Sequence, residues 1–489
     1  MRAVRKVMED GSMAMGRQPE QRQADLWIVT ERLAVAPAHP FYQQLNRILT
    51  GAGFDGFCQA ACRKFYAEKL GRPSIPPGVY FRMLLLGYFE KLDSEREIAW
   101  RCADSLALRA FLGYRVDEGT PDHSSLSRTR NRIDLETHQA VFDWVLKRLT
   151  EQGLLKGQTL GIDASTLEAD AALKSIVRRD NGQNYREFLV ELAKASGIET
   201  PTAEELAKFD RKRKGKSASN DDWFNPHDPD AKITKMKDGR THLAYKNEHA
   251  VDLDTGAIVA AEIHLANAGD TTTMWGTLEK AAESLQEVRE DARVQATCQA
   301  QGVADPSQQL HIQATVQDKG YHSAQTLVNL EELDIRGYIA EPDRGRQCWT
   351  VDDLDEQEFK RRAQRAVYRN RRRRRGRRST ALHRRRGESV ERTFEHVLDD
   401  GGMRRVWLKG REKIAKRYLI HTAAFNLGLL LRKVTGFGTP RGWVNAARAA
   451  ATACAGWLRA AARRYGLRNR LWARAAGQAD QWPEPALAA

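Results

Sequence analysis

The 489-residue chain has little cysteine and no long apolar run. Its six cysteines, Cys58, Cys62, Cys102, Cys298, Cys348 and Cys454, include no CxxC pair, which excludes a disulfide framework and argues against structural zinc. No stretch reaches the roughly 18 consecutive apolar residues that a membrane span requires. The start, MRAVRKVMEDGSMAMGRQPEQRQ, is polar and mixed in charge and lacks the apolar segment of a secretory signal. A cytoplasmic protein with reduced thiols and no membrane partner is the expectation. Also absent are GxxxxGK[ST], GxSxG, HExxH and a dinucleotide fingerprint after a strand, so nothing points to P-loop, serine-hydrolase or zincin chemistry. With 41% hydrophobic and 29% charged residues the chain has a folded composition, and its length implies several domains.

What is present is positive charge in one place. Residues 360–386, KRRAQRAVYRNRRRRRGRRSTALHRRR, hold 15 Lys and Arg and no acid. Of 79 basic residues in the chain, the other 64 balance its 64 Asp and Glu, so the net charge of +15 is local. Such a block repels itself unless an anion neutralises it, and nucleic-acid phosphate, RNA or DNA, fits that need. A solvated basic loop that binds polyanions loosely is the plainer alternative.

Organisation follows from periodicity. Residues 1–39 read as a polar leader and 40–153 as helical. PPGVYFRMLLLGYFEKL is apolar almost all round, as in a buried helix. SEREIAWRCADSLALRAFLGY opens with Ser94 and Glu97 at capping-box spacing and runs toward Gly113. TPDHSSLSRTRNRI offers Asp122 and Ser124 as caps before Arg128, Arg130 and Arg132. VFDWVLKRLTEQG repeats apolar residues at helical spacing up to Gly153. Short helices with an Arg-rich start suit a helix-turn-helix module; an ordinary bundle with a basic face fits equally well.

After Gly157 the pattern turns to strands. TLGIDAST is one; THLAYKNEHAVDLD and TGAIVAAEIHLA form a hairpin; HIQATVQD and RGYIAE follow, with helices between them. The outline is a mixed α/β layer over 157–433, with insertions at about 170–235 and 343–386. REKIAKRYLIHTAAFNLGLLLRK closes it as an apolar helix, and 434–489 is an Ala- and Arg-rich tail. The fold class expected is α+β and multidomain: an all-α N-terminal domain, a mixed-sheet α/β core and a helical tail.

The candidate chemistry is acidic. Asp163 and Asp318 each end a predicted strand, and Glu391 lies in RRGESVERTFEH. Carboxylates at the ends of adjacent strands coexist cheaply only if one is protonated or a cation lies between them. With a third carboxylate from a facing helix, the set suits two Mg²⁺ ions roughly 3.5–4 Å apart acting at a phosphodiester. Any one of these aspartates alone reads as a cap or turn residue. Trp407, in a basic context, could stack on a base, and core packing is the simpler role. His322 could orient a phosphate, and a surface histidine is the simpler reading.

These segments resemble bacterial insertion-sequence transposases of the DDE type, whose catalytic core is ribonuclease-H-like. The resemblance covers roughly 40–433. It rests on FYQQLNRIL, TPDHSSLSRTR, GIDAST, DPDAK with LAYKNEHAVD, QDKGYHS, RRGESVERTFEH, GGMRRVWLKG and RYLIHTAAFNLGLLL, in that order. It implies that Asp163, Asp318 and Glu391 are the metal-binding triad for Mg²⁺ (Mn²⁺ as substitute), with two ions in the family's mechanism. It also implies that the N-terminal helices bind the element's ends on double-stranded DNA, and that a homo-oligomer forms there. Arg128 and Arg130 become candidates for base or phosphate contact, and Lys319 a candidate for holding the scissile phosphate. The basic run, Arg371, Arg372, Arg373, Arg374 and Arg375 included, would track the backbone.

Two departures stand out. Many relatives carry a lysine seven residues after the glutamate, where this chain has Leu398, and a tyrosine before it, where this chain has Arg384, Arg385 and Arg386. Arg386 and Arg392 are the substitutes for those phosphate contacts, and Glu388, one helical turn from Glu391, is a rival third ligand. A nuclease on the same core, or a DNA-binding descendant without activity, would show the same segments.

Overall fold

A computed structural model describes residues 39–464 except 67–73, 214–218, 237–238, 344, 346–348 and 350–353. The expected leader up to residue 38 and the tail beyond 464 lie outside the described residues.

Seven helices come first: α1 (Pro40–Gly51), α2 (Phe54–Cys62), α3 (Pro77–Phe89), α4 (Glu95–Asp104), α5 (Leu106–Leu112), α6 (His123–Arg132) and α7 (Leu135–Glu151). Pro77 starts α3, and eleven of its thirteen residues are buried, so an all-round apolar pattern does mark a core helix here. Ser94 Oγ accepts from the Glu97 amide, but the reciprocal Glu97 bond goes to the Asp93 amide. The helix expected to run from there to Gly113 breaks at Ser105, whose hydroxyl caps α5. Asp122 caps α6 through the Ser125 amide at 2.6 Å.

The sheet follows. β1 (Thr159–Glu168) leads into a polar excursion of β2 (Val177–Arg178), α8 (Tyr185–Ala195), α9 (Ala203–Lys212), β3 (Trp223–Phe224) and β4 (Lys232–Lys235). Within it Leu189, Ala193 and Leu206 form a small core of their own, as expected of an insertion. Then come β5 (Thr241–Asp252), β6 (Ile258–Leu265), α10 (Asp270–Glu290), α11 (Ala292–Gln301), α12 (Pro306–Gln309), β7 (Ala314–Gln317), α13 (Ala324–Glu332) and β8 (Arg336–Ile339). Four helices close the described chain: α14 (Leu354–Arg374), α15 (Arg377–Phe394), α16 (Arg411–Thr435) and α17 (Pro440–Arg464).

β1 pairs antiparallel with β5, and β5 antiparallel with β6 and β4; on the other side β1 is parallel to β7, and β7 to β8. Both faces are covered. Glu248 of β5 reaches Thr273 and Thr277 on α10, while its neighbour His249 reaches Thr393 on α15 and Tyr418 on α16. Successive strand side chains point oppositely, so α10 and α15 lie on opposite faces. Buried side chains of α3, α7 and α16 join the same hydrophobic cluster as those of the sheet. The helices before residue 157 therefore share one core with the sheet after it.

The block 360–386 is not a loop. It forms most of α14 and the first half of α15, with Ala363, Ala366, Val367 and Leu382 buried. Small and apolar residues at helical spacing give each helix an inner face, which the density of arginine obscured.

Candidate active site

Asp163 does not end its strand, as the sequence suggested; β1 continues five residues further against β5. What ends there is the pairing with β7, whose last rung joins Gly161 to Val316. Two residues beyond that rung on each side stand Asp163 and Asp318, near enough for the charge of one to act on the other. β7 turns away because the Asp318 Oδ1 accepts the Gly320 amide at 2.8 Å and caps the turn Lys319–Tyr321.

Asp163 is mostly buried. Its Oδ2 accepts from Arg386 Nη1 at 2.7 Å and its Oδ1 from the Ala164 amide at 2.9 Å. Burial pushes its pKa up; Arg386 opposes that, and the nearby charge of Asp318 adds to it, leaving it raised. The site already recruits a cation.

That cation comes from α15, which crosses β1 at Gly161. A Cβ there would stand 3.0 Å from Val390 Cγ2 and 3.2 Å from Arg386 Cγ, so glycine is what lets the helix come this close. Further along, Thr393 Oγ1 bonds His249 at 2.9 Å and Phe394 stacks on the same ring. Glu388 is exposed and paired to Arg384 at 2.9 Å. Glu391 is also exposed, and its side chain makes no hydrogen bond or ion pair among the described residues. Among those residues no three His, Cys, Asp or Glu form a group that could hold a metal ion. The structure thus sets Asp163 near Asp318 and bonds Arg386 to Asp163, with Glu391 exposed five residues further along the same helix.

The proposed DNA-contacting residues separate into two kinds. Arg130 is 5% exposed and ion-paired with the Glu95 carboxylate, so it faces the helix core and not a groove. Arg371 holds Glu341 with two bonds of 2.6 and 2.7 Å, and Arg373 donates to the Gly337 carbonyl. Arg369 pairs with Glu331 and Arg362 with Glu332. In contrast Arg372, Arg374, Arg375, Arg377 and Arg378 have no ion pair among the described residues and gather where α14 meets α15, about Gly376. Lys319, Arg392 and Arg128 are exposed, the last leaning on Ser124 and Ser125. Trp407 is exposed with Arg405 4.9 Å over its ring, against the core role expected, whereas His322 is buried.

Sequence reasoning missed the buried pair Lys246 and Glu248, with the half-buried Asp270 bonded to Lys246, next to the two aspartates. The signal was the charged run KNEH inside a strand.

Residues 31–132 match the family model of a transposase domain (DUF772), which supports a transposase and hence a DNA-processing enzyme. No curated protein and no solved structure matches the chain. The match ends with α6, before the sheet begins. Among the described residues no helix is long and apolar enough to cross a membrane.

Proposed function

We propose that the chain is a DDE-type transposase that binds the ends of its element and catalyses metal-dependent DNA cleavage and strand transfer. The observation that carries this reading is the pair Asp163 and Asp318, side by side where β1 and β7 part, in a chain with a transposase-domain match. The strand order β6-β5-β1-β7-β8, with the first three antiparallel and the last two parallel to β1, supports a ribonuclease-H-like core.

The donor set fits a hard divalent cation: oxygen ligands only, a raised Asp163, and a neighbouring carboxylate that repels it. Asp163 and Asp318 would hold Mg²⁺ or Mn²⁺, with Glu391 as the third ligand. Glu391 is favoured over Glu388 because Arg384 already engages the latter. Bound there, the ions would acidify an attacking water and stabilise charge at phosphorus. Water then breaks a phosphodiester at the element's end and leaves a 3′-OH. In the second step that hydroxyl attacks a target phosphodiester, so one P–O bond forms as another breaks and no ATP is needed. Arg386 and Lys319 stand beside the two carboxylates, where their charges can hold the scissile phosphate. The unpaired arginines about Gly376 track the flanking duplex.

The test is cleavage and joining of labelled duplex DNA that carries the inverted repeats flanking the gene, in Mg²⁺, for the wild type and Asp163→Asn. Wild type should free 3′ ends and join them to target, while the variant binds DNA and yields neither product. Equal activity of both proteins would remove Asp163 from the mechanism. Binding without cutting by either, in Mg²⁺ and in Mn²⁺, would leave a DNA-binding protein.

A further inference from the structure

The turn that carries Asp318 has weak backbone support. β7 is four residues long and its ladder to β1 stops at Val316, two residues short of the carboxylate. Two like charges face each other across the gap, so the turn would swing away unless something holds it. Side chains of β5 reach it from beneath.

Glu248 lies opposite Ala164, the neighbour of Asp163, and is fully buried. Its Oε1 accepts from Tyr321 Oη at 2.8 Å and from Thr273 Oγ1 at 2.9 Å, and its Oε2 from Thr277 Oγ1 at 2.5 Å. Tyr321 is the last residue of the Asp318 turn and is itself 1% exposed. Two residues earlier on the same face, Lys246 Nζ bonds Asp270 at 2.5 Å and Thr273 at 2.8 Å. Asp270 packs directly beneath Gly320, where any side chain would collide with it. The turn is thus bonded to β5 at its end through Tyr321, and at its middle it packs against Asp270, which Lys246 of β5 holds.

An aromatic ring could be held in a core by packing alone. A buried carboxylate with three hydroxyl donors is costly to desolvate, and in return it supplies strong, directional bonds. Those bonds fix where the turn sits relative to β1, because Glu248 is part of the strand next to it.

We propose that Glu248, acting through Tyr321, is a positioning residue that sets the separation of Asp318 from Asp163, and so the affinity of the site for its divalent ions. The inference rests on the two aspartates being metal ligands.

Mn²⁺ binding to the full chain, followed by electron paramagnetic resonance of the free ion, tests it without needing the element's ends. The proteins are wild type, Asp163→Asn, Tyr321→Phe and Glu248→Gln, each with its Tm measured. Tyr321→Phe loses one hydroxyl and should fold even where Glu248→Gln does not. Expected is Mn²⁺ binding by wild type, its loss in Asp163→Asn, and roughly tenfold weaker binding in Tyr321→Phe, with Tm modestly lowered by the lost hydrogen bond. A merely structural tyrosine would lower Tm and leave Mn²⁺ affinity alone, which overturns the positioning role. If wild type and Asp163→Asn bind Mn²⁺ alike, or neither binds, the metal-ligand reading itself falls and the latch with it.

Discussion

The arginines of α6 and those at the junction of α14 and α15 look alike in sequence and do different things. In α6, Arg130 turns inward to Glu95, and Arg132 lies 5.2 Å over the Tyr66 ring. At the junction Arg372, Arg375, Arg377 and Arg378 are exposed and Arg374 is half-buried, all without an ion pair among the described residues, while Arg362, Arg369 and Arg371 of α14 pair with Glu332, Glu331 and Glu341. What separates Arg130 from the junction arginines is the supply of acid on the neighbouring element. Where a carboxylate faces the helix the arginine becomes part of the fold; where none does, its charge remains available to phosphate.

The largest effect is expected at Arg130. Arg130→Ala leaves Glu95 buried without its cation and is expected to cost about 3–5 kcal/mol, read as a lower midpoint in urea unfolding. A stability unchanged by that substitution would mean the pair is not a structural one. Replacing Arg372, Arg374, Arg375, Arg377 and Arg378 together by Gln should do the opposite. Tm should hold, while nonspecific duplex binding at moderate salt weakens on the order of a hundredfold and the slope of log K against log[salt] shrinks by about 4. An unaltered slope would show that these charges do not meet DNA.

A carboxylate without a cation sharpens the same point. Asp143 on α7 is buried with only amide and hydroxyl partners, Gln139 and Ser284, and burial pushes its pKa up to about 6. A carboxyl whose pKa is raised on folding favours the folded state below its unfolded value, and that benefit is lost as pH rises through about 6. Asp143→Asn is therefore expected to stabilise the protein at pH 7.5 by on the order of 2 kcal/mol and to change little at pH 4. Unfolding midpoints at the two pH values decide it; equal effects at both would mean Asp143 is ionised throughout.

Much of the architecture was legible. The strands from TLGIDAST to RGYIAE, the buried helix after Pro77 and the Asp122 cap all follow from local pattern, because propensity, alternation and capping act within a few residues. The candidate site was legible only in part. Asp163 and Asp318 stood out as acids next to apolar runs. Glu248 did not, since KNEHAVD alternates like a strand with one wet face, whereas β5 is central and covered on both sides. Arginine density also hid the inner face of α14, because Ala363, Ala366 and Val367 are small beside their neighbours.

By itself the sequence determined most element types outside the basic block, the order of the two aspartates and the place of the surplus charge, all consequences of near-neighbour chemistry. Tertiary structure alone decided that Asp163 and Asp318 meet, that Arg386 reaches Asp163 from 223 residues away, and which arginines remain outward. Those outcomes depend on strand register and on which acids the packing brings opposite each base, and neither leaves a local trace in the chain.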